Sequence, residues 1–267
     1  MSTLTPALVD AAAGPARRRR IPLTRLVGVE LRKLTDTRAS RWLLAAVPLL
    51  TLVVVTGVTL WGDDSEVTFL AHTTTNMMPL ELILPLVTVL AVTGEWSQRS
   101  ASTTFTLVPR RGRVMTAKAV GALLVTLAAT ATVVVLSAAG TVAAARVRGL
   151  DAVWDLSLDL TLRLALANLV AIAFGFVVAV VIRRTAPAMV AYLAFMFVVP
   201  MVSMVAAGLW TWWAGNGAWY DLTWSTSFVT GPEITGEQWA QVGTSALIWI
   251  VVPMVLGMRR LLRAEIR

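Results

Sequence analysis

The residues able to do chemistry in this chain are few, and their densest group is the stretch Gly94 to Arg113, GEWSQRSASTTFTLVPRRGR. It sets Glu95, Arg99, Arg110, Arg111 and Arg113 between two long apolar runs. Charges so concentrated in an oily chain must lie in water, and their positive excess assigns that water to the cytoplasm. The chemistry they offer is ion pairing, so the segment reads as a loop presented to a partner protein.

Bond-making chemistry has little support elsewhere. The chain has no cysteine, which excludes disulfides, thiolate metal sites and thiol nucleophiles, and a single histidine, His72, which excludes imidazole clusters. There is no Gly-Lys pair and hence no P-loop, and neither HExxH nor Gly-x-Ser-x-Gly occurs. No catalytic residue, cofactor site or metal site is expected in the chain itself. His72, among threonines, reads as a solvated loop histidine. Asp151, Asp155 and Asp159, spaced by four, would share one face of a short external helix, and a solvated face is a simpler reading than a cation site.

The elements that must position these charges are membrane helices. Of 267 residues, 57% are hydrophobic and 14% charged, and mean hydropathy is +0.74; a soluble domain carries roughly 25% charged residues. The net charge of +8 would point to nucleic acid in a soluble protein, but basic loops beside membrane spans give the same total. The spacing predicts a disordered basic tail over 1–21, not a cleaved signal, since the run Arg17 to Arg20 is not followed by an apolar core. That run reads as a topology signal or a contact with anionic lipid headgroups of the membrane, and no nucleic-acid partner is expected.

Over 22–40 the pattern is an amphipathic helix. Leu23, Leu26, Val27, Leu31 and Leu34 form one stripe, and Arg25, Arg32 and Asp36 lie opposite. Glu30 projects into the stripe and requires a cation, either Lys33 three residues on or an arginine of the 94–113 loop. Residues 41–267 then read as six spans, at about 42–61, 77–93, 114–145, 164–182, 187–210 and 239–258. Pro85 interrupts the second span, where a neighbour must satisfy the backbone it frees. Glu81 sits about one turn inside that span and snorkels outward or serves a function. Gly121 and Gly140 mark the third span for close packing. Residues 211–238, with Trp212, Trp213, Trp219, Tyr220 and Trp224 broken by glycines, read as short re-entrant or interfacial external helices, and Thr235 with Gln238 as a capping box.

With both termini cytoplasmic, only Arg146, Arg148 and Arg163 of the 23 Lys and Arg fall outside, whereas most of the 15 acids do. The inverse orientation would reverse that bias.

The helix carrying VELRKLTDTR (Val29 to Arg38), followed by a six-span bundle whose first cytoplasmic loop holds Glu95, then Pro109, Arg110, Arg111 and Lys118, resembles the ABC exporter permeases of the type-2 (ABCG-like) family. The resemblance covers the chain from about Pro22 to its end. It implies an N-terminal connecting helix with Glu30, Arg32 and Lys33, and a coupling helix from about Glu95 to Thr104 that presses on a separate ATPase. Glu95, Trp96, Gln98, Arg99, Thr103, Pro109, Arg110 and Arg111 would form that coupling loop. It implies a plasma-membrane complex of two permease subunits, identical or not, with ATP and Mg bound by the ATPase subunits. The few charges within spans suit export of an apolar or amphipathic substrate, such as a drug, lipid or peptide antibiotic. Thr88, Asn168, Met196, Ser203 and Met204 are the pathway candidates, with ordinary helix packing as the competing reading for each. Two other classes compete: a stand-alone secondary transporter or channel, coupled through Glu81 or Asp159, and a non-transporting membrane scaffold or sensor.

Overall fold

The computed structural model describes residues 21–97 and 111–263; the tail through Arg20, the segment 98–110 and residues 264–267 lie outside the described residues. The described chain is built of helices: α1 (Leu23–Asp36), α2 (Arg38–Trp61), α3 (Phe69–Ser97), α4 (Arg111–Arg148), α5 (Leu158–Ile182), α6 (Thr185–Leu209), α7 (Thr211–Asn216), α8 (Leu222–Val229), α9 (Gly236–Ala246) and α10 (Val252–Arg263). A π-helical turn at Leu247–Val251 joins α9 to α10. Six spans are long and apolar enough to cross a membrane: Arg38–Trp61, Phe69–Gly94, Gly112–Arg148, Leu158–Ile182, Thr185–Leu209 and Gly236–Arg263. That is the pattern of a multi-pass, all-α membrane protein.

α3 is the axis of the bundle because its apolar residues run all round it. Leu80, Leu84 and Val87 face a cluster with Leu34, Val47, Val133 and Leu164, while Val89 and Val92 join a second cluster with Phe174, Tyr192 and Phe195. α3 packs most extensively on α5, with α2 and α4 on one side and α6 on another. Gly175 permits the close approach of α5, since a Cβ there would stand 2.8 Å from Pro85 Cβ and 3.1 Å from its Cα. Pro85 has no N–H to offer the carbonyl of Glu81 four residues earlier. The Tyr192 hydroxyl of α6 donates to that carbonyl instead, at 2.8 Å, so the helix continues through the proline.

α4 behaves differently from the fully packed span its small residues predict. It packs on α1, α2 and α3, and Gly140 lies so close to Val55 that a Cβ would meet its Cγ1 at 2.6 Å. Its other face, with Leu123, Leu124, Leu127 and Val135, is exposed.

Four boundaries differ from expectation for local reasons. The amphipathic helix ends at Asp36 rather than about residue 40, because the Thr37 hydroxyl accepts from Ser40 N at 3.1 Å and starts α2. α3 begins eight residues before 77, at Phe69. Its first amides are taken by Val153 O (from Phe69 N, 3.0 Å), Asp155 Oδ1 (from Leu70 N, 2.8 Å) and the Thr68 hydroxyl (from Ala71 N, 3.1 Å). Those bonds hold the chain before α5 extended, so Asp151 and Asp155 are not on the short helix their spacing predicts, and α5 starts at Leu158. The last span runs through Arg263 rather than to about 258. The Thr235–Gln238 capping box forms, with both reciprocal bonds present, and the Arg183–Arg184 pair makes the two-residue turn between α5 and α6, Arg183 adopting φ 58°.

His72 is not a solvated loop residue. It lies in the first turn of the extended α3, fully buried against α4. Its Nδ1 is 3.0 Å from Thr68 O and 3.1 Å from the Thr141 hydroxyl. Asn76 Nδ2 donates to His72 O at 2.8 Å and to Ser137 Oγ at 3.1 Å.

Candidate functional site

Glu30 and Glu81, two of the carboxylates inside the bundle, mark places where this chain could act. The first is Glu30. On α1 it is buried, as its position in the apolar stripe requires, and it accepts from Lys33 Nζ at 2.9 Å and from Lys118 Nζ at 2.6 Å. Lys118, whose side chain is 2% exposed, also donates to Ala91 O of α3 at 3.2 Å. One ammonium therefore ties α1, α3 and α4 together. Gly121, one turn further along α4, faces Glu30, Leu31 and Leu34, at a distance that would admit a Cβ: it would stand 3.7 Å from Glu30 Cβ.

The expected partners of Glu30 were Lys33 or a loop arginine; the structure supplies Lys33 and, across the bundle, Lys118. Arg113, from the loop set, instead donates to Ile21 O at 2.7 Å and so anchors the start of α1. Arg32 is exposed on the polar face. Of the coupling-loop residues, Gln98, Arg99, Thr103, Pro109 and Arg110 lie outside the described residues. Glu95, Trp96 and Arg111 are described only as backbone at the ends of α3 and α4. Both helices flanking that loop meet at Lys118.

The second carboxylate is Glu81. Because α3 begins at Phe69, Glu81 lies twelve residues in, about 18 Å along the helix rather than one turn. It lines a cavity of about 170 Å³ with Tyr192, Phe174, Phe195, Met196 and the hydroxyl face of α8. No cation pairs with it among the described residues. The wall behind is aromatic: Phe174 and Phe195 ring centroids are 4.1 Å apart, and the π-helical turn brings Trp249 to 4.9 Å from Phe195.

Across α8 lies a second cavity, about 430 Å³, lined by Pro200, Ser203, Met204, Asp221 and Trp224. Thr223 and Ser227 border both cavities, so α8 is the partition between them. Asp221 caps α8, its Oδ1 accepting from Thr223 N at 2.8 Å and Trp224 N at 3.1 Å. Its buried Oδ2 has no hydrogen-bond partner among the described residues.

The pathway candidates therefore divide. Met196 reaches the first cavity, Ser203 and Met204 the second; Ser203 Oγ also accepts from Trp213 Nε1 at 3.0 Å. Thr88 and Asn168 are buried in helix contacts, Thr88 bonded to Leu84 O and Asn168 to Leu164 O and Met77 Sδ. Sequence reasoning missed Tyr192, Asp221 and the clamping role of Lys118. The first had a readable signal: a proline in a span demands a donor for the carbonyl four residues back.

The two arginines nearest the far ends of α2 and α8 are helix caps. Arg148 donates to Val58 O, Thr59 O and Gly62 O at 2.6–3.0 Å and pairs with Asp64 at 2.9 Å. Arg163, 5% exposed, donates to Val229 O, Gly231 O and Pro232 O and pairs with Asp159 at 2.8 Å. Cations at helix C-termini satisfy carbonyls that the helix leaves open.

Among the described residues no three His, Asp or Glu come together as a metal site. No protein-family model matches this chain, and no curated protein matches it.

Proposed function

We propose that this chain is the permease subunit of an ATP-driven exporter of the type-2 ABC kind, working in the plasma membrane with both termini cytoplasmic. A second permease subunit completes the pathway, and separate ATPase subunits bind ATP and Mg. The observation that carries this reading is the Glu30–Lys118 clamp. It joins an amphipathic helix to both helices that flank residues 98–110. A force applied there would reach α1, α3 and α4 as one body, which is what a docked ATPase needs in order to tilt spans. The six spans, the absence of a P-loop and the few charges within spans are in keeping with it. The partition helix α8 and its neighbour α7 serve in this reading as re-entrant external helices, and the two cavities beside them hold an apolar or amphipathic substrate in transit.

Affinity purification of the tagged chain in mild detergent, with mass spectrometry, tests the reading. Recovery of a soluble P-loop ATPase, lost on changing Glu95 and Arg99 together, supports it. Glu95→Ala should leave the complex inserted while uncoupling hydrolysis from transport.

One observation favours a second reading, a secondary transporter. Glu81 is an intramembrane acid lining a cavity, the usual mark of an ion or substrate path. Asp159, the other coupling candidate, is exposed and already paired with Arg163. Solute movement by the chain alone in liposomes, without ATP, would replace the first reading with this one.

A further inference from the structure

The cavity at Glu81 is chemically one-sided. Four hydroxyl residues of the α8 region, Thr223, Thr226, Ser227 and Thr230, line it. A hydroxyl has one proton to give and two lone pairs to receive with, and all four protons are already spent. Thr223 donates to Asp221 Oδ1 at 2.6 Å, Thr226 to Leu222 O at 2.7 Å, Ser227 to Trp224 O at 2.7 Å and Thr230 to Ser227 O at 3.0 Å. The Tyr192 hydroxyl is committed to Glu81 O at 2.8 Å. What remains for an occupant is acceptors only: hydroxyl lone pairs, the Glu81 carboxylate and the faces of Phe174 and Phe195.

An acceptor-only pocket with a carboxylate rejects anions and rewards a cation that carries its own N–H donors. Aromatic rings add attraction for such a cation when it is desolvated. The size sets the rest. A cavity of about 150 Å³ holds a benzene ring, and this one is about 170 Å³.

The geometry points to a binding site for a primary or secondary organic ammonium with a ring-sized or short alkyl body, its nitrogen between Glu81 and the α8 hydroxyls and its apolar part against Phe174, Phe195 and Met196. As a statement about transported substrate this rests on the permease reading; as a binding site it stands without it. Glu81 is the residue that holds the charge, and Tyr192 positions it, because the hydroxyl supplies the bond that Pro85 removes from that turn.

The test uses the full chain in lipid nanodiscs, without any ATPase, titrated calorimetrically against empty nanodiscs. The probes are benzylammonium, N,N,N-trimethylbenzylammonium and benzoate. Benzylammonium should bind saturably. The trimethyl probe, which keeps charge and ring but has no N–H, should bind at least about fivefold more weakly, and benzoate not at all. Glu81→Gln should weaken benzylammonium binding about tenfold or more, as loss of a charge-assisted hydrogen bond does. Should Glu81→Gln fail to fold, Glu81→Asp and Thr226→Val decide, each expected to reduce affinity while keeping the wild-type melting temperature. Equal binding of benzylammonium and benzoate, binding indifferent to all three substitutions, or no saturable binding would overturn the site. So would equal competition by sodium, which would make this an inorganic cation site. Failure here leaves ATPase copurification untouched, and failure of copurification leaves this titration untouched, so the two ideas fall separately.

Discussion

Glu30 and Glu81 are both carboxylates placed inside a helical bundle, and the structure treats them in opposite ways. Glu30 receives two lysines, at 2.9 and 2.6 Å, one of them buried and shared with the carbonyl of Ala91. Glu81 receives no cation among the described residues and faces a cavity instead. A buried ion pair with its remaining hydrogen bonds satisfied fixes a geometry. Glu81 has a cavity before it instead. Under the proposed binding site, one acid belongs to the frame and the other to the occupant.

The largest test of that contrast is Glu30→Leu, which takes the carboxylate from a buried ammonium. The loss should be of the order that breaking a buried pair costs, about 3–5 kcal/mol, read as a lower melting temperature in detergent. Adding Lys118→Met should recover most of it, because an apolar pair can replace a buried ionic one. If Glu30→Leu melts like wild type, the clamp has no structural weight. Next, Gly175→Ala drives a methyl into Pro85 at a point of backbone contact. Overpacking of this kind costs about 1–3 kcal/mol, and a neutral result would mean that α3 and α5 are free to part.

Tyr192→Phe removes the donor to Glu81 O while keeping the ring, with an expected loss of about 1–3 kcal/mol for an unsatisfied buried carbonyl. It should also weaken benzylammonium binding, which links the frame to the cavity; an unchanged affinity would separate them. Smallest is Glu81→Gln, which strands no described cation and should shift stability by less than about 1 kcal/mol. Destabilisation equal to that of Glu30→Leu would erase the distinction between the two acids.

Much of the frame was legible in the chain because it depends on local pattern. The stripe of α1 placed Glu30 inside and demanded a cation; Thr235 and Gln238 announced their capping box; the Arg183–Arg184 pair marked its turn. What escaped depends on which distant segments meet. Eighty-eight residues separate Lys118 from Glu30, and nothing near Lys118 says which helix it faces. His72 looked solvated because the start of α3 is decided by bonds that its first amides donate to Val153 O and Asp155 Oδ1, and Asp155 is one of those acceptors rather than part of a helix. Glu81 was placed one turn inside its span, where snorkelling and function were both open, for the same reason: moving the helix start to Phe69 set it twelve residues into the helix. The cavity itself was illegible, since spent hydroxyl protons are visible only once α8 has folded.

Arg148 also bears on how the protein is made. The carbonyls it caps, at Val58, Thr59 and Gly62, lie 86–90 residues upstream. At roughly 5–20 residues per second of synthesis, several seconds pass between the emergence of the end of α2 and that of its cap. During that interval the Thr59 and Gly62 carbonyls lack the guanidinium that meets them in the folded chain, and Val58 O has the Gly62 N–H alone, at 3.0 Å. The end of α2 is thus completed by a side chain that the chain reaches only at the end of α4.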